Sequence, residues 1–177
     1  MGINMNSDLT FITNEQGKYL KERFDILIKD SRYFDCLVGY FYISGFFAIC
    51  DSLEQSERIR ILVGIGTDRQ TIDYVFENYP DVQKTIDFSH AETKIGFEGM
   101  IIDEMEKSQD NRHVEFGVKK FVEWIRNKKL EIRAYPSRHI HAKLYIVSFK
   151  ENDRDSGRVI TGSSNLTQAG LIDNLEF

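Results

Sequence analysis

The chain has 177 residues, of which 41 % are hydrophobic and 12 % aromatic, enough apolar mass for one packed domain. Its 2 prolines and 12 glycines are too few for a low-complexity or disordered chain. No run of about 18 uncharged apolar residues occurs, which excludes a transmembrane helix, and the net charge of −5 excludes a surface coated in cations for indiscriminate nucleic-acid binding.

The opening MGINMNSDLTF lacks a basic stretch followed by an apolar one, so we expect no secretory signal and a cytoplasmic location. Cys36 and Cys50 sit in apolar surroundings, FDCLV and FAICD, and read as two buried thiols; cysteine and histidine do not recur at zinc-ligand spacing. Thr13 with Gln16 forms a capping-box pattern, and Leu20, Phe24, Leu27 and Ile28 come next at helical spacing, predicting a helix over 14–30. YFDCLVGYFYI (33–43) reads as a buried strand. Ser44 is placed to N-cap a helix over GFFAICDSLEQ. RIRILVGIG (58–66) is a second buried strand, with Thr67 or Asp68 capping the segment after it.

Residues 69–109 are helical in pattern, with a break near Tyr79-Pro80. A helix over 112–128 places Val114, Val118, Phe121, Val122 and Ile125 on one side. Strands occupy 130–135, 139–149 and 158–162, the last two forming a hairpin across KENDRDSG, and DNLEF begins a final strand. The order α-β-α-β-α-α-β-β-β-β predicts an α/β fold: a mixed β-sheet flanked by helices on both faces, in a single domain over 1–177.

One strand carries the first chemical signal. In RHIHAKLYIV (138–147), side chains alternate faces with period 2. His139, His141 and Lys143 therefore form one row, and Ile140, Ala142 and Leu144 the other. We expect the apolar row to enter the core and the cationic row to line a pocket. Residues 126–143 hold six Lys/Arg (126, 128, 129, 133, 138, 143) against the single acid Glu131, a net +5, so the remainder of the chain sums to −10. That concentration suits an anionic ligand, although Arg126, Lys128 and Lys129 also fall where a helix C-terminus favours cations.

Two further signals lie nearby: Gly162-Ser163-Ser164-Asn165 just after the hairpin, and Glu176 preceded by Asn174. An imidazole supplies a nucleophile. Lys143 supplies a fixed positive charge. The Gly-Ser-x-Asn turn supplies hydroxyl, amide and backbone donors for phosphate oxygens. A carboxylate such as Glu176 could hold Nδ1 of a histidine and fix its tautomer. Each piece alone is ordinary, a half-exposed strand face, a turn, a surface acid. Together they suit phosphoryl transfer that needs no metal or other cofactor.

HAKLYIV, GSSNLTQAGL and NLEF resemble the phospholipase D superfamily signature, His-x-Lys followed by Gly-Ser-x-Asn. The chain is most similar to the branch found as N-terminal nuclease-like domains of bacterial helicases; VGYFYISGFFAICDSLE and IRILVGIGTD also resemble the opening segments of that branch. The resemblance implies a hydrolase, a metal-independent phosphodiesterase acting on nucleic acid, DNA before RNA, through a phosphohistidine. It implies His141 as nucleophile or acid, Lys143, Ser163 and Asn165 as the phosphate clamp, and Glu176 as the acid that orients histidine. It also implies covalently linked helicase domains in a longer protein; with no membrane-binding amphipathic stretch and no secretion signal in the sequence, we expect no membrane partner.

Two departures stand out. An aspartate of the family's pattern falls at Ser148, and the motif occurs once. A single copy implies a homodimer that brings two His141 rings to one phosphate. The alternative is a nucleic-acid-binding or dimerisation module of weak or no turnover. His139 matches no position of the family, and no Gly-x-x-x-x-Gly-Lys-Ser/Thr loop for ATP occurs in these residues.

Overall fold

A computed structural model of the chain describes residue 14 and residues 19–67, 76–83, 111–134, 140–151 and 155–173. In chain order it contains α1 (Leu20–Ile28), β1 (Tyr33–Phe41), α2 (Ile43–Ile49), β2 (Arg58–Thr67), a short α3 (Pro80–Gln83), α4 (Asn111–Arg126), β3 (Leu130–Ala134), β4 (Lys143–Ser148), β5 (Gly157–Thr161) and a π-helical turn (Ala169–Asp173). The five strands form one sheet in the order β3-β2-β1-β4-β5. β1 pairs parallel with β2, and β2 with β3; β4 runs antiparallel between β1 and β5. The fold is therefore α/β with a mixed sheet, and β1 is its central strand.

The alternation of each strand decides which side is the core. Phe34, Cys36 and Val38 of β1 are buried, as are Ile59, Ile61 and Val63 of β2, Leu130 and Ile132 of β3, and Tyr145 and Val147 of β4. Register brings these into rows: Phe34 lies between Ile59 and Val147, and Cys36 between Ile61 and Tyr145. Helices α1, α2 and α4 pack on this face. Phe24 of α1 meets Tyr145 and Phe34 at ring centroid distances of 4.9 and 6.0 Å. Phe46 of α2 meets Phe121 and Trp124 of α4 at 5.4 and 5.5 Å. Edge-to-face pairs of this kind add to the burial of large rings. The opposite face carries Tyr33, Asp35, Leu37, Leu62, Leu144 and Ile146, all half-buried. Of the stretch 69–109 expected to be helical, residues 69–75 and 84–109 lie outside the described residues.

Local expectations shift at three element ends. Strand β4 begins at Lys143, so His141 precedes the strand and His139 lies outside the described residues. Helix α2 starts at Ile43 with Tyr42 in the cap position and no side-chain cap, so Ser44 is inside the helix and does not cap it. The first helix starts at Leu20, and Asn14 is no part of it. Asn14 adopts φ 56°, the left-handed region that asparagine tolerates better than most residues. Its Oδ1 accepts from the Leu20 N–H at 2.8 Å, and its Nδ2 donates to the Gly170 carbonyl at 2.9 Å. One buried amide thus satisfies a helix N-terminus and ties it to the π-helical turn. Thr13 and Gln16, the expected capping box, lie outside the described residues, as does DNLEF beyond Asp173.

Both cysteines are free and buried, as expected. Burial pushes both thiols upward, Cys36 well above its ordinary value and Cys50 to about 11. A buried thiol that resists ionisation favours the folded state while the unfolded thiol is protonated. That contribution is present below about pH 9 and is lost as pH rises toward 11.

These contacts give two expected outcomes. Asn14→Ala removes a cap and leaves the Gly170 carbonyl unpaired; urea unfolding should show a loss of about 1–3 kcal/mol. A thiol-reactive disulfide reagent at pH 8 should label neither cysteine in the native protein and both after denaturation; fast native labelling of Cys50 would contradict its placement.

Candidate functional site

The site lies at the end of the sheet where the parallel strands β1 and β2 finish, the end at which open α/β sheets bind ligands. Three connections meet there: the segment leading into β4, the loop after β5, and the turn from β1 into α2. Each is held by backbone contacts. The Ile140 N–H donates to the Gly64 carbonyl at 3.2 Å. A Cβ on Gly64 would fall 2.1 Å from the Ile140 oxygen, so only glycine admits this approach. On the other side, Phe41 and Leu166 form a parallel bridge, and the Tyr42 N–H donates to the Leu166 carbonyl at 3.0 Å.

The antiparallel register of β4 on β1 sets Lys143 opposite Val38. This overturns the expected division of the row. Lys143 is 6 % exposed and shares its face with the buried Tyr145 and Val147, whereas Leu144 and Ile146 face the half-covered side. The lysine row, not the leucine row, enters the core side of the sheet. The reason is in the residues beyond the motif: Tyr145, Val147 and Phe149, all buried, carry more apolar surface inward than Leu144, Ile146 and Ser148 would, and the whole row goes with them.

The ammonium of Lys143 sits at the strand's open end, 2.7 Å from Nε2 and 3.1 Å from Nδ1 of His141. An ammonium has donors only, so the ring nitrogen that bonds to it is an acceptor. His141 is exposed. A buried cation and an exposed imidazole therefore touch at the mouth of the site, with the aromatic ring of Tyr40 against His141 at a centroid distance of 6.3 Å.

The Gly-Ser-Ser-Asn loop reaches the same place. Asn165 Oδ1 accepts from the Tyr40 N–H at 3.0 Å, which orients the amide. Ser164 is buried, and its carbonyl accepts from the Tyr145 hydroxyl at 2.8 Å. Ser163 and Gly162 are exposed at the loop's tip. Thr161 closes the loop's other side, its hydroxyl donating to the Lys143 carbonyl at 3.1 Å. So His141, Lys143 and Asn165 are drawn together around Tyr40, Ser163 lies on the same loop, and Glu176 lies outside the described residues.

Among the described residues, the expected concentration of cations at the site is not observed. Arg126, Lys128 and Lys129 precede β3, at the opposite end of the sheet, where the Ile59 N–H meets the Lys129 carbonyl. The five residues of β3 separate them from the site by roughly 15 Å. Arg126 pairs bidentately with Asp81, holding that carboxyl below its usual range, and Arg133 pairs with Glu131. Lys129 lies 4.0 Å over the Trp124 ring, where burial pushes its ammonium down from the ordinary value. Arg138 lies outside the described residues. Among the described residues of that +5 stretch, only Lys143 reaches the site.

Sequence reasoning misses Tyr40 and the two close glycine approaches. Gly45 and Gly64 are visible as glycines beside strand ends, but their partners, Leu166 and Ile140, are distant in sequence. Among the described residues no helix is long and apolar enough to cross a membrane. No protein-family model matches the chain, and no curated protein matches it.

Gly45 provides a test of how the loop is held. An alanine in place of a helical glycine normally stabilises by about 0.5–1 kcal/mol. Here the added Cβ would lie 2.5 Å from the backbone carbonyl of Leu166 and 2.6 Å from the Thr167 nitrogen. Gly45→Ala should therefore lower the melting temperature and shift the Asn165 side-chain amide resonance in a proton–nitrogen spectrum; a stabilised protein with that resonance unmoved would refute the contact.

Proposed function

We propose that this domain is a metal-independent phosphodiesterase acting on nucleic acid. The observation that carries it is the contact of the buried Lys143 ammonium with the exposed His141 ring, beside an Asn165 whose amide is oriented by the Tyr40 N–H. A phosphodiester brought to this mouth meets a cation, an amide donor and an imidazole nitrogen. The chemistry is two displacements. His141 attacks phosphorus, forming an N–P bond while the P–O bond to one nucleoside breaks. Water then attacks the phosphohistidine, releasing the phosphate monoester and restoring the imidazole. Lys143 and Asn165 hold the non-bridging oxygens as charge builds on them. Ser163, exposed on the same loop, is placed to add a hydroxyl.

A leaving alkoxide needs a proton, and a second His141 from another copy of the chain would supply it. The proposal is therefore a homodimer with two rings at one phosphate, in keeping with the resemblance of HAK and GSSN to the phospholipase D signature. That resemblance also supports Glu176 as the residue that orients histidine and a longer, helicase-type protein that carries this domain.

A second reading is a phosphate-binding module without turnover. It is favoured by one contact: the Lys143 ammonium lies within 3.1 Å of both ring nitrogens, one of which would have to attack. Turnover requires the incoming phosphate to draw that ammonium onto its own oxygens.

Nuclease assays in EDTA separate the two. Wild type should cleave single-stranded DNA, and His141→Ala should lose at least about a hundredfold in kcat, the scale of removing a nucleophile. Asn165→Asp keeps the acceptor for the Tyr40 N–H but replaces the donor by a carboxylate, so it should raise Kd for DNA. Cleavage that survives His141→Ala, or that requires a divalent ion, would sink the proposal; salt-dependent binding without cleavage would select the module.

A further inference from the structure

We propose that Tyr40 forms a base-stacking subsite beside the phosphate site, making the preferred ligand a nucleotide strand with unpaired bases. This rests on the phosphate reading above and adds to it the chemistry of the groups flanking the phosphate.

The aim of Tyr40 comes from a break in the sheet. β1 and β2 keep register from Tyr33↔Arg58 to Val38↔Val63, then shift so that Tyr40 lies opposite Gly66. Two steps along β1 match three along β2, so the extra residue is in β2. Irregularities of this kind re-aim side chains and concentrate next to active sites. On β1 the period-2 pattern fails at the same point. Phe34, Cys36 and Val38 are buried in alternation, but the next buried ring is Phe41, three residues after Val38. Phe41 stacks on Phe121 at a centroid distance of 6.5 Å, inside the core. Tyr40 remains half-buried at the mouth. An uninterrupted strand does not place both rings this way.

Tyr40 is also the residue at which the two motifs meet. Its N–H holds Asn165 Oδ1 at 3.0 Å, and its ring stands at 79° to the His141 ring. Both groups assigned to the phosphate are thus within one side chain's reach of a partly exposed aromatic ring. A diester held there directs the group on one of its oxygens along that ring. A base can stack on an aromatic face whatever its identity, so the contact favours unpaired strands without selecting sequence. Bases inside a duplex are already stacked on one another and offer no face to Tyr40. The backbone hydrogen bond to Asn165 is independent of the Tyr40 side chain, so truncating the ring leaves the phosphate donor in position.

The test compares two fluorescein-labelled strands of equal length and charge: oligo(dT), and the same backbone with every base replaced by hydrogen. Affinity is read by anisotropy for the full chain, with Tyr40→Ala and Tyr40→Phe each checked for folding by circular dichroism. The wild type should bind oligo(dT) about tenfold more tightly than the abasic strand, in line with one stacked base. Tyr40→Phe should keep that ratio, and Tyr40→Ala should reduce it to about one by weakening oligo(dT) alone. Equal wild-type affinity for both strands, or equal weakening of both by Tyr40→Ala, overturns the stacking subsite while leaving the phosphate site standing; the second result would mean that Tyr40 acts only by positioning His141. Failure of the wild type to bind either strand overturns the phosphate reading and this inference with it.

Discussion

Tyr145 is the contact on which both the core and the site depend. Its ring, 1 % exposed, packs edge-on to Phe24 of α1 and lies parallel to Phe34 of β1. Its hydroxyl donates to the Ser164 carbonyl. A buried phenol must find such a partner or lose the hydration of its hydroxyl. The carbonyl it finds lies in the Gly-Ser-Ser-Asn loop, next to Asn165, while Lys143 is two residues away on its own strand. One side chain therefore fixes the register of β4 against the core and the position of the donor loop relative to that strand. The helix-side ring cluster and the Gly-Ser-Ser-Asn loop are tied together by this bond.

The same row explains why a cation is buried. Once Tyr145 and Val147 face the helices, strand periodicity sends Lys143 the same way. Removing an ammonium from water costs several kcal/mol unless polar groups replace its hydration. Lys143 meets this cost at the first position of its strand, where its head lies beside His141. The lysine is a group whose presence the packing does not require, and such groups concentrate where charge is used.

How much of this is legible in the chain can be judged strand by strand. The five strands and the β4–β5 hairpin come from apolar runs and turn residues, and the mixed sheet comes from their order. The motif residues His141, Lys143 and Asn165 are visible as types and spacings. The inward row of β4 is not, because alternation defines two faces without saying which is buried. Three residues, 140, 142 and 144, suggest one answer; Tyr145 and Val147 decide the other. Asn14 resembles a helix residue because a capping pattern begins just before it and the periodic positions start at Leu20. Its real role depends on Gly170, 156 residues away. Tyr40 is hidden for a similar reason. It sits in a uniformly apolar strand, and only the register shift against β2 separates it from Phe41. Local pattern carries the elements; the site depends on pairings between segments distant in sequence.

The charges obey the same division between local pattern and tertiary placement. A count along 126–143 suggests a basic surface, yet the fold directs most of those cations elsewhere. Arg126 is paired with Asp81 and Arg133 with Glu131, exposed pairs that contribute little to stability and that nearly cancel as a field. Among the described residues, what remains at the candidate site is the Lys143 ammonium, shielded from water, and shielding would strengthen its interaction with the anion proposed to bind there. With a net charge of −5, the chain as a whole does not attract a polyanion from a distance. Under the proposed function, recognition among the described residues would come from short-range contacts with Lys143, Asn165 and Tyr40. A surface of that kind releases few counterions on binding, so the affinity it gives should depend on salt far less steeply than that of a basic nucleic-acid-binding face. On the proposed reading, such a site holds one phosphate and the group beside it, which is what a reaction at a single bond requires.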